Sequence, residues 1–205
     1  MILRCWRLAV LVMSMSCLAA ACAADRAREV RLVMTTALGT IELELYADKA
    51  PVTAANFLRL VDAGHLAGAT FYRVVSPAND NGSPVISVIQ GGIGDAASPF
   101  PPIAHETTAA TGLLHLDGSL SMARAAVGTA TTEFFICLGA QPALDYGATR
   151  NDDGQGFAVF GRVIEGMDVV RAIHAAPANA QTDNEYLKGQ LLEQPVVIES
   201  VQRVR

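Results

Sequence analysis

The chain has 205 residues, of which 51% are hydrophobic, and its 15 basic and 20 acidic side chains give a formal net charge of −5. No basic cluster lies beyond the first few residues, which argues against nucleic acid as a partner. The length suits one compact domain behind a leader, 1–24 and 25–205.

The leader is the first readable unit. Arg4 and Arg7 precede an apolar run from Leu8 to Met15, and small residues crowd Ala19 to Ala24. That order is the layout of a secretory signal peptide. The run is shorter than the roughly 20 apolar residues of a membrane span, so no stable span is expected. Two readings are open: cleavage between Ala21 and Ala24 releases a periplasmic protein, or lipidation of Cys22 anchors a lipoprotein. Either way Arg4 and Arg7 leave, taking the charge from −5 to −7. Cys137 becomes the last internal thiol, placed in an apolar run as an inert core residue.

Val30–Thr35 and Thr40–Tyr46 predict a hairpin around Leu38-Gly39. In the second strand Ile41, Leu43 and Leu45 alternate with Glu42 and Glu44, which sends the glutamates to the solvent face. Pro51 opens a helix whose apolar stripe is Ala54, Phe57, Leu58 and Val61, with Gly64 as its stop. Strands follow over Ala69–Val75, Val85–Gln90, Ser119–Ala123, Glu133–Leu138 and Phe157–Val163. A second helix starts near Met167, and Val196–Val201 is a closing strand. Many short strands with two helices predict a mainly β protein built as a closed antiparallel barrel.

One arginine stands out in this pattern. Phe71-Tyr72-Arg73-Val74-Val75 places Arg73 in an apolar strand, where a guanidinium is costly to bury and keeps its charge. A fold that retains it has a permanent hydrogen-bond donor beside an apolar pocket. The histidines His65, His105, His115 and His174 show no ligand spacing. His105 and His115 fall in linking segments, as exposed or capping residues. The turn-rich loops 76–84 and 146–156 lack the acidic positions of a calcium loop.

Leu38-Gly39-Thr40-Ile41-Glu42-Leu43 and Ala50-Pro51-Val52-Thr53-Ala54-Ala55-Asn56-Phe57 resemble the opening of a cyclophilin-type peptidyl-prolyl isomerase. The arginine strand, Gln90-Gly91-Gly92, Ser119-Leu120-Ser121-Met122-Ala123, Phe134-Phe135-Ile136, Val159-Phe160-Gly161-Arg162-Val163 and Gly166-Met167-Asp168 continue in the family's order. The resemblance spans roughly Val30 to Ala175 and implies an eight-stranded barrel capped by two α-helices. It also implies a monomeric isomerase of proline-containing polypeptides that uses no cofactor and no metal.

By the same resemblance Arg73 is the catalytic donor and Phe135 the floor of a proline pocket, with Leu144 and Val88 as walls. Gln90 orients Arg73 or bonds the substrate. Ala123, Arg124 and Ala125 offer backbone groups to an extended peptide, while Glu133 and Phe157 border it. The chain departs from the family at several places: Ser87 stands for a pocket phenylalanine and Arg124 for an asparagine. Glu133 replaces a glutamine, Ala143 a tryptophan or other aromatic, and Phe157 a histidine or tyrosine. Loops 76–84 and 146–156 are also longer than usual. An isomerase acting on exported proteins is the leading reading, and a catalytically weak peptide-binding or chaperone module is the alternative.

Overall fold

The computed structural model describes residues 29–94 and 96–204; the leader and Cys22 lie outside them. Eight strands form a barrel: β1 (Glu29–Thr36), β2 (Gly39–Tyr46), β3 (Thr70–Val75), β4 (Val88–Gly92), β5 (Ser119–Met122), β6 (Phe134–Cys137), β7 (Ala158–Glu165) and β8 (Leu191–Arg203). The barrel closes in the order β1-β2-β7-β5-β6-β4-β3-β8, with every neighbouring pair antiparallel. Closure leaves no open edge to template association.

Helix α1 (Pro51–Asp62) begins on its proline as expected and buries Ala54, Phe57, Leu58 and Val61. It follows the Tyr46 end of β2. A single turn, α2 (Thr108–Thr111), adds to the two expected helices; Thr107 caps it through its hydroxyl. Helix α3 (Met167–His174) sits at the other end of β2, where a Cβ on Gly39 would meet Val169 at 2.8 Å. The helices therefore cover opposite ends of the barrel.

Inside, Phe57 meets Phe134 edge to face at 5.3 Å and Phe160 at 5.2 Å, while Phe71 meets Phe134 at 5.6 Å. Alternation along β6 sends Phe134 and Ile136 into this core. Phe135 and Cys137 point outward into a second apolar cluster with Val75, Ile86, Val88 and Leu144. Both faces of β6 are thus buried, because loops cover the barrel wall there.

Glu44 corrects one expectation. It lies outside the barrel core, yet its side chain is only 2% exposed. Arg162 on β7 covers it at 2.8 Å and Arg31 on β1 at 3.7 Å. Strand alternation predicts the face a residue takes, and neighbouring long side chains decide whether that face is wet.

Candidate active site

A cavity of about 180 Å³ opens on the outer wall of the barrel over β3, β4 and β6. Arg73 reaches it through a defect in β3. Phe71 pairs with Gly91 and Arg73 with Gln90, so one residue is extra between them. Phe71 and Val74 both pack in the barrel core. The bulge therefore leaves Tyr72 and Arg73 adjacent on the outer face, a re-aiming that bulges commonly provide.

Among the described residues, no carboxylate pairs with Arg73. Its Nε and Nη2 donate to Oε1 of Gln190 at 2.9 and 2.6 Å, and Nη1 donates to Oε1 of Gln90 at 2.9 Å. Three of the guanidinium's five N–H groups are used, and two remain for a ligand. Gln90 in turn donates from Nε2 to the Tyr72 hydroxyl at 2.7 Å, which donates to Glu133 at 2.7 Å. Burial pushes the Tyr72 phenol up, with the Glu133 charge adding to it. Burial also raises the Glu133 carboxyl, against hydrogen bonds from Tyr72, the Gly94 amide and Thr132. Gly92, at φ 154°, makes room for that carboxyl, and a Cβ there would overlap it.

Gln190 gives no signal in the sequence. It is fully buried, lies 117 residues from Arg73, and is oriented by donating Nε2 to the Asn79 carbonyl at 2.8 Å. Asn79 also donates to the carbonyls of Val74 and Gly189 at 3.2 and 2.8 Å. The long loop 76–84 thereby brackets the segment that positions Arg73.

Phe135 forms the apolar floor, with Val88, Leu144 and Ile86 around it. Ile86 rather than Ser87 turns toward the cavity. Ser87 faces away, its hydroxyl 3.2 Å from His174 Nε2 and its amide donating to Gln141. The loop before β4 is what defeats counting back from Gln90.

His115 is also not where the sequence suggests. It is 1% exposed and stacks nearly parallel to Phe135, with ring centroids 5.9 Å apart. Its Nδ1 lies 2.7 Å from Asp145 and its Nε2 3.0 Å from the Ser121 hydroxyl. A linking segment becomes buried here because both ring nitrogens find partners.

Ala123, Arg124 and Phe157 line the cavity, while Ala125 and Glu133 do not. Ala125 is exposed, and its amide donates to Thr129 at 3.1 Å. Glu133 acts one step back, through Tyr72. Arg124 commits all five N–H groups: to Asp153 at 2.7 and 2.9 Å, to the Gly156 carbonyl at 2.9 and 2.6 Å, and to the Ala125 carbonyl at 3.1 Å. It clamps loop 146–156 and has no donor left in its side chain. Those bonds, with the Gln155 amide, hold Asp153 down to about 2.

The second long-range clamp is Arg150. It donates to both carboxylate oxygens of Asp80 at 2.8 Å, to the Pro84 carbonyl at 2.8 Å and to the Tyr186 hydroxyl at 2.9 Å. Arg150, Asn151 and Tyr186 complete the cavity wall. Cys137, behind Phe135, is fully buried, and burial pushes its thiol up, so it stays protonated.

Comparison with known proteins gives the chain a family. The family model for cyclophilin type peptidyl-prolyl cis-trans isomerases matches residues 31–203. The chain belongs to the cyclophilin-type peptidyl-prolyl cis-trans isomerase family. It is 34% identical over 200 residues to peptidyl-prolyl cis-trans isomerase A of Dickeya dadantii, covering 96% of this chain and 95% of that one. It is 38% identical over 174 residues to a peptidyl-prolyl cis-trans isomerase of Acinetobacter baylyi, covering 82% of each. A Cryptosporidium parvum cyclophilin crystallised in the presence of the dipeptide Ala-Pro shares the fold at a TM-score of 0.65 and 20% identity. That comparison covers 85% of this chain and 99% of the other.

Proposed function

We propose that this isomerase turns X-Pro bonds through Arg73, with the proline ring on Phe135, and that its clients are exported polypeptides. The two free N–H groups of Arg73 carry this reading. An amide nitrogen gains a usable lone pair only as the bond twists, so a donor aimed at it binds the twisted state more strongly than the planar one. The barrier being lowered is about 18–20 kcal/mol, and no proton transfer or covalent intermediate is required. Val88, Ile86 and Leu144 supply the apolar surround. Gln190 and Gln90 hold the guanidinium in place before substrate arrives, which removes reorganisation from the reaction step.

The segment that follows β5 beside the pocket supports an extended peptide. Among the described residues, the Ala123 carbonyl and the Arg124 amide have no protein partner. Proline-limited refolding takes roughly tens to hundreds of seconds without a catalyst, slow enough to limit maturation of a secreted chain. The basic, apolar and small-residue order of residues 1–24 supports export. No helix among the described residues is long and apolar enough to cross a membrane.

A refolding assay on a proline-limited substrate tests the catalytic reading. Acceleration by wild type and its loss in Arg73→Ala is the expected result. Peptide binding without exchange broadening in NMR would instead make the chain a peptide-binding module. Fractionation of cells producing the full chain tests export, with a shortened periplasmic product expected and a membrane-retained, lipid-labelled product pointing to Cys22.

A further inference from the structure

We infer that Tyr186 forms a subsite for an apolar or aromatic side chain next to the substrate proline, which makes this tyrosine a specificity-determining residue. The inference rests on the peptide-binding reading of the cavity. Three observations carry it. The Tyr186 ring lines the cavity and stands 5.1 Å from the Arg73 guanidinium carbon, while the residue stays 45% exposed. The Arg73 guanidinium covers one face of the ring, and the exposed remainder of the ring borders the cavity directly beside that donor.

The ring is also pre-positioned. Its hydroxyl accepts from Arg150 Nη2 at 2.9 Å, and that arginine is only 4% exposed in its pair with Asp80. Asn184 accepts from the Tyr186 amide at 3.0 Å, and Asn81 donates to the carbonyls of Tyr186 and Lys188 at 3.2 and 2.9 Å. Backbone and hydroxyl are both fixed, so binding a partner costs this side chain little rotamer freedom. Arg73, the Phe135 floor and Tyr186 line one cavity, with Arg73 against the Tyr186 ring. A peptide with its proline on Phe135 and its amide under Arg73 must carry one flanking side chain past the Tyr186 ring. Aromatic and large apolar groups gain most from such a face.

The test uses two series of tetrapeptides, varied to Ala, Leu, Phe or Glu either before or after proline. Both kcat/KM by NMR exchange and Kd by titration are measured for wild type, Tyr186→Ala and Tyr186→Phe. Wild type is expected to prefer Phe over Ala about three- to tenfold at one flanking position. Tyr186→Ala should bring that ratio below about twofold, while Tyr186→Phe keeps it, since the ring remains. A ratio unchanged in Tyr186→Ala, or no preference in wild type at either position, overturns the subsite. An equal loss for every peptide also overturns it and assigns Tyr186 to holding Arg73. The Kd ratios decide the subsite even where turnover is absent, whereas absent turnover in wild type would overturn the catalytic reading alone.

Discussion

Phe135, Val88 and Gln90 reach the cavity from strands whose positions follow from the barrel ladder, whereas Arg150, Asn151 and Tyr186 reach it from loops with no ladder between them. The strand-built floor is held by backbone pairing and by apolar packing on both faces of β6. The loop-built wall is held by polar contacts instead: Asp80 with Arg150, Asn79 with Gly189, and Arg124 with Asp153 and Gly156. The two constructions fail differently. A strand loses stability in proportion to the area uncovered, while a wall pinned by a few ions loses it abruptly when one partner is removed.

The largest effect should therefore come from the wall. Arg150→Ala strands the fully buried Asp80 carboxylate and should cost about 3–5 kcal/mol in urea unfolding, as for other broken buried pairs. Replacing both partners with leucine should recover part of that loss, because no unpaired charge remains. If the single variant unfolds at the wild-type midpoint, the wall is not held by this pair.

Next comes Arg73→Ala, which addresses the chemistry at the junction of floor and wall. A loss of order 10²–10³ in kcat is expected, with a much smaller change in peptide Kd. Turnover at the wild-type rate, or a loss confined to binding, would reassign the residue to anchoring the ground state.

Ala143 gives a smaller, comparative effect. In the family an aromatic here borders the groove, and a tryptophan helps hold cyclosporin. Alanine removes the indole and its donor, worth about 2 kcal/mol or a factor of roughly thirty. Cyclosporin should therefore inhibit this chain about thirtyfold more weakly than a tryptophan-bearing relative, measured by inhibition of refolding catalysis. Nanomolar inhibition would show that Arg150, Asn151 and Tyr186 replace the missing wall.

The gentlest probe is acid. Burial pushes the Asp80 carboxyl up, but the hydrogen bonds from Arg150 and the Gly82 and Ile86 amides outweigh it and hold the group below its ordinary value. A carboxylate depressed in the folded state contributes stability that is fully present above its unfolded value, near about 4, and is lost as pH falls through the folded one. Glu133 has the opposite sign: raised by burial, it makes the folded state bind its proton more tightly and removes stability as pH rises through its folded value. Asp80→Asn should flatten the fall in stability below about pH 4, and Glu133→Gln should flatten the opposing slope above it. Urea midpoints across this range read both, and unchanged slopes would remove these carboxyls from the pH response.

Legibility from sequence divides along the same line. Arg73, Gln90, Phe135, Val88 and Leu144 could be placed because each sits in a short ordered motif. The sequence misjudged residues whose surroundings come from far away. Ser87 and Ile86 exchange roles because the loop before β4 sets which of them faces inward. His115 reads as a linker residue until Asp145 and Ser121 close around it. Glu133 reads as a substrate contact until the bulge in β3 brings Tyr72 between it and Gln90. Gln190 and Tyr186 had no signal at all, since nothing local marks a glutamine or tyrosine in a turn-rich segment.

The sequence by itself determined the barrel, its two larger helices and the motifs that bring Arg73 and Phe135 to one cavity. Period-two alternation, Pro51 and the motif order are local signals, and a closed antiparallel sheet is the way to bury that many half-apolar strands. Only the tertiary structure decided how the donor is held and what walls the cavity. Those depend on hydrogen bonds and ion pairs between segments that are 70 residues apart for Asp80 and Arg150 and 117 apart for Arg73 and Gln190. Such contacts form only once the barrel has brought the loops together.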